Sequence, residues 1–88
     1  MRHYTKLPAI SGKQLIKLLV ENDGWKVRRK RATHGVALVK DFGDRKRVTI
    51  IPDYYVSLDE GTLAAILAPK QTNIGKRGLL DLVNRFGI

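Results

Sequence analysis

His34 is the side chain best suited to move a proton at neutral pH, and it stands just beyond a run of cations, Arg28-Arg29-Lys30-Arg31. An imidazole with a reference pKa of about 6.5 can take the proton from a ribose 2′-hydroxyl as general base, or return one to a leaving oxygen as general acid. No metal ion is needed for that chemistry. Neighbouring Arg and Lys side chains would orient the phosphate and stabilise the charge that develops in the transition state. A substrate lacking the 2′-hydroxyl should survive. His3, the other imidazole of the chain, falls in a segment read as an N-terminal tail and is expected to be inert.

The remaining chemistry is defined mostly by what the chain lacks. Zero cysteines rule out a disulfide framework and thiolate metal sites, and fit a reducing cytoplasm. The carboxylates are scattered and read as helix caps or turn residues, so metal-dependent hydrolysis has no ligand cluster to stand on. Gly75 and Gly78 lack the spacing of a phosphate loop, and no strand precedes them. No cofactor is implied. No apolar run reaches the roughly 18 to 20 residues of a membrane span, and Met1 to Ile10 has no apolar centre of the signal-peptide kind. A soluble cytoplasmic protein with no membrane partner is expected.

Charge points to the partner class. The chain has 88 residues and a formal net charge of +9, with 17 Lys and Arg against 8 Asp and Glu. The first 52 residues carry 13 of those cations and 4 of the acids, whereas the remainder is neutral. Nine cations fall between Lys26 and Arg47 against Asp41 and Asp44 alone. Such a patch attracts polyanions by Coulomb attraction and counterion release, which places nucleic acid ahead of an anionic membrane or an acidic protein.

Ser11 and Gln14 form a capping box ahead of Leu15, Leu18 and Leu19, with Ile10 and Leu15 as a staple, which predicts a helix over 12–22 closed by Asn22-Asp23-Gly24. From Trp25 the period becomes two, with Trp25 and Val27 toward the core and Lys26, Arg28 and Lys30 on the other face; Arg29 and Arg31 project the opposite way. Val36 to Lys40 and Arg45 to Ile51 predict two more strands joined through Asp41-Phe42-Gly43-Asp44. Ser57 with Glu60 reads as a second capping box, opening a short helix that Pro69 stops. Leu79 to Phe86 predicts a third helix ended by Gly87. Tyr54 and Tyr55 are expected to cover the edge of the core, stacking on bases being the alternative.

The predicted order is α-β-β-β-α with an added C-terminal helix, an α+β class. It makes one domain over 1–88, with a flexible tail over 1–9, and leaves one basic sheet face open for binding. That order is shared by the double-stranded-RNA-binding domain and by unrelated small modules, so it does not by itself assign a function. Phosphate contact is expected from Lys26, Arg28, Lys30 and Arg31, and from Arg45 and Arg47 if the hairpin brings them alongside.

Several pieces taken together resemble the HicA family of toxin–antitoxin mRNA interferases: Ile10-Ser11-Gly12-Lys13 entering a Leu-rich helix, Asp23-Gly24-Trp25 entering a basic strand, Ala32-Thr33-His34 at its end, and Gly61-Thr62-Leu63 followed by Ile66-Leu67. The resemblance covers most of the chain. It implies a compact fold like that of a double-stranded-RNA-binding domain, cleavage of mRNA or other single-stranded RNA without a metal, His34 as the catalytic histidine, and Thr33 beside it as an RNA contact that keeps the hydroxyl of the family's usual serine. It also implies a partner, a HicB-type antitoxin covering the basic face. The alternatives are a non-catalytic RNA-binding module using the same face, and an inert member of a protein complex.

Overall fold

Ser11 opens the first helix as its residue type dictates. Its hydroxyl accepts from the Gln14 amide at 3.1 Å, and the Gln14 carboxamide oxygen accepts from the Ser11 amide at 2.9 Å, so both bonds of the capping box form. The computed structural model of the chain describes residues 4–32 and 35–88, the side chains of Lys30, Arg31 and Ala32 excepted. Within it the order is α1 (Gly12–Asn22), β1 (Lys26–Ala32), β2 (Gly35–Asp41), β3 (Lys46–Ile51), α2 (Glu60–Leu67) and α3 (Gly75–Phe86). This is a small α+β domain: three helices and one three-stranded antiparallel sheet, ordered β1-β2-β3.

The helices share one face of that sheet. Leu15, Leu18 and Leu19 of α1 are buried in one cluster with Ile66 and Leu67 of α2, and with Leu79, Leu82 and Val83 of α3; the sheet adds Val36, Leu38 and Ile51. Ile10 joins the same cluster, as a staple to Leu15 requires. Trp25 is fully buried just before β1, and its indole N–H donates to the Asp23 carboxylate at 2.9 Å. Asp23 also faces the Lys40 ammonium at 3.6 Å. The Asp23-Gly24-Trp25 turn is therefore a structural joint between α1 and the sheet.

Three expectations about the framework are corrected. Ser57 does not cap the second helix: it bridges Ser11 in antiparallel fashion, and Asp59 is the cap, accepting from the Thr62 amide at 3.0 Å and from its hydroxyl at 2.6 Å. The segment read as a tail is docked from Tyr4, whose amide donates to Asn84 Oδ1 at 2.6 Å while Asn84 Nδ2 donates to the Tyr4 carbonyl at 3.0 Å. Finally, Tyr54 and Tyr55 do not cover the core, being 63% and 86% exposed.

Candidate functional site

Strand β1 carries the cations, and its pairing decides which way they point. Lys26 pairs with Val39, Val27 with Leu38, Arg29 with Ala37 and Ala32 with Gly35, with register shifts after Val27 and after Arg29. Each shift gives β1 one more residue than its partner, a β-bulge, and each bulge resets the alternation of side chains. Partners across an antiparallel pair lie on the same face. Lys26 and Arg29 therefore share the face opposite the helices. The expected set of Lys26, Arg28 and Lys30 is broken by the first bulge, in which Arg28, exposed, is the extra residue.

Strand β3 sorts its own cations by simple alternation. Thr49 and Ile51 are buried on the helix side, so Arg47 lies on that side and Lys46, Val48 and Ile50 on the open one. The Arg47 guanidinium donates to the carbonyls of Pro69 and Gln71, tying the sheet to the α2–α3 connection. Thr49 adds a second tie through its hydroxyl, which donates to Gln71 Oε1 at 2.5 Å. Arg45 is exposed in the hairpin turn, its carbonyl accepting from the Phe42 amide at 2.8 Å. Lys46 was not among the expected contacts, although the parity of Thr49 and Ile51 would have found it. It lines a shallow hollow of about 350 Å³ together with Lys26, Val39 and Asp41.

The open face is thus not uniformly basic. Its middle is apolar, with Val39 half-buried and Val48 and Ile50 exposed. Lys26 and Arg29 line its β1 edge, and Lys46 stands at the hairpin end beside its partner Asp41, an acid on the same face.

A second feature runs along the other side of β1. Ile16 and Val20 of α1, with Val27 and Val36 of the sheet, line a groove of about 420 Å³, flanked by Lys13, Lys17, Glu21 and Asp53. Val27, expected in the core with Trp25, is 42% exposed and lines this groove instead.

His34 and Thr33 lie outside the described residues, as do the side chains of Lys30 and Arg31, and His3. The backbone on either side of the pair is described. A Cβ added to Gly35 would stand 2.2 Å from the Ile51 carbonyl oxygen and 3.0 Å from Pro52 Cα, so only glycine lets β2 begin this close to the end of β3. That contact brings the residue following His34 beside the segment leading to Tyr54 and Tyr55.

Among the described residues, no three His, Cys, Asp or Glu side chains are grouped so as to hold a metal ion. No helix among them is long and apolar enough to cross a membrane. No protein-family model, no curated protein and no solved structure matches the chain. The functional reading stands on its own residues.

Proposed function

We propose that this chain is a metal-independent endoribonuclease of the mRNA-interferase kind, the toxin of a HicA-type toxin–antitoxin pair, with His34 as its general acid and base. One observation carries the reading: a strand rich in cations, β1, sets Lys26 and Arg29 on the sheet face opposite the helices and runs in sequence directly to the histidine. On this reading the three helices on one sheet face form the arrangement of a double-stranded-RNA-binding domain, and the open face holds phosphates. The resemblance in Ile10-Ser11-Gly12-Lys13, Asp23-Gly24-Trp25 and Ala32-Thr33-His34 supports the same assignment.

The chemistry follows from one imidazole. His34 accepts the 2′-hydroxyl proton, the 2′-oxygen attacks the adjacent phosphorus, and the bond from phosphorus to the 5′-oxygen breaks. The imidazolium then returns the proton to that leaving oxygen, so a cyclic phosphate and a 5′-hydroxyl result. Lys26 and Arg29 bind phosphates of the strand, with Arg28, Lys30, Arg31, Thr33 and Arg45 as further contacts. The protein partner of this reading is a HicB-type antitoxin in the cytoplasm. An apolar centre of Val39, Val48 and Ile50, with Lys26, Arg29 and Lys46 at its edges and Asp41 as the one acid beside Lys46, suits a protein that offers mostly acidic groups around apolar ones.

The test is incubation of wild-type and His34→Ala protein with a labelled single-stranded RNA in EDTA. The wild type should cut and the variant should bind equally well without cutting, while an all-DNA strand stays whole. Binding by both proteins with no cleavage by either would make the chain an RNA-binding module and overturn the nuclease assignment.

A further inference from the structure

Tyr54 and Tyr55 lie outside the core and are 63% and 86% exposed. Two adjacent aromatic rings, followed by Val56 at 69% exposure, stand in water on the connection between β3 and α2. Single exposed apolar residues are ordinary, whereas contiguous exposed apolar surface marks a contact site, and here three such residues follow one another. Their backbone is held at both ends: the Lys13 amide donates to the Tyr54 carbonyl at 3.2 Å, and the Leu58 amide to the Ile10 carbonyl at 2.8 Å. The rings are thus presented by a fixed support. Neither tyrosine belongs to the core cluster or packs against it.

We propose that Tyr54 and Tyr55 form a stacking platform for the unpaired bases of a single-stranded RNA; the proposal rests on the ribonuclease reading and adds a site that holds the bases of that strand. Position supports it first. Gly35 packs on Ile51 and Pro52, so the platform begins two residues past the contact made by the neighbour of His34. The ring chemistry supports it second. The Lys13 ammonium lies 4.8 Å from the centre of the Tyr55 ring and is itself paired with Asp53 Oδ1 at 2.8 Å, and in the adjoining groove Lys13 and Lys17 are matched by Glu21 and Asp53, so the local charge is balanced and the ring faces supply the contact. Stacking of bases on aromatic faces holds single strands without regard to sequence. A duplex keeps its base faces inside the stack and offers nothing to such a platform.

The experiment compares two short strands with equal numbers of phosphates. One carries uracil bases on 2′-O-methyl ribose, which cannot be cut through the 2′-oxygen, and the other has no bases. Wild-type protein should hold the base-bearing strand about tenfold or more tighter. The double variant Tyr54→Ala/Tyr55→Ala should hold both strands alike, and Tyr54→Phe/Tyr55→Phe should restore the preference, since phenylalanine keeps the ring. If the wild type shows no preference, or the alanine variant retains it, the platform is overturned while RNA binding stands. If the wild type holds neither strand at low salt, the RNA reading itself falls, and the platform with it.

Discussion

Gly12 and Pro52 meet backbone to backbone: a Cβ on residue 12 would stand 1.6 Å from the Pro52 carbonyl oxygen. Helix α1 therefore starts directly against the end of β3, and the glycine of Ile10-Ser11-Gly12-Lys13 has a steric reason. Gly12→Ala should cost about 1–3 kcal/mol, because the obstructing atom is main chain and can move only with the strand. A urea titration followed by circular dichroism would show it as a lowered midpoint with an unchanged slope.

Arg47 separates structural from binding cations. Its guanidinium serves the carbonyls of Pro69 and Gln71, so Arg47→Ala should lower stability by about 1–3 kcal/mol through lost charge-assisted bonds. The same variant should leave the salt dependence of RNA affinity as it is in the wild type. A changed slope would return Arg47 to the phosphate contacts.

Lys26 and Arg29 make the opposite prediction. Each alanine substitution should flatten the plot of log affinity against log salt by roughly 0.7 for a single strand, one phosphate per cation, with the melting temperature nearly unchanged. Equal slopes in wild type and variants would remove the open face from the interface.

The helix cap of α2 gives the stability a dependence on acid. The Thr62 hydroxyl and amide, both donating to Asp59, hold its carboxyl below the ordinary value of 3.8. A lowered folded pKa contributes stability that is complete above the unfolded value and lost as pH falls through the folded one. Asp59→Ala should therefore melt lower than the wild type at pH 7, and the gap should narrow once the pH falls below about 3.8. A gap constant down to strongly acidic pH would show that the cap acts without its charge.

How far such relationships can be read from residue types depends on what competes locally. Helix α1 was legible because Ser11 and Gln14 have one good use each, and the hairpin because Asp41 through Asp44 has turn chemistry with Val and Ile on either side. The bulges of β1 were not legible: from Arg28 to Arg31 every residue is a long cation, so nothing in the pattern marks where the alternation resets. Ser57 and Asp59 are both good cap formers, and only the backbone bridge from Ser57 to Ser11 decides between them. Helix α3 begins at Gly75, ahead of its first large apolar residue in the core, because its opening turn is polar. The tyrosines were misjudged for a related reason. Aromatic residues before a helix usually turn inward, but here the bond from the Lys13 amide to the Tyr54 carbonyl fixes a loop whose rings face water.

The two bulges of β1 also govern how copies of the chain meet. An outer strand displays spare N–H and C=O groups, and regular spacing of those groups lets a second sheet add on. Two extra residues within seven upset that spacing, and the exposed Arg28 and Arg29 repel an identical edge. The irregularity that turns Arg29 toward the open face thereby guards the same strand against self-association, and light scattering should show no growth through this edge as protein concentration rises.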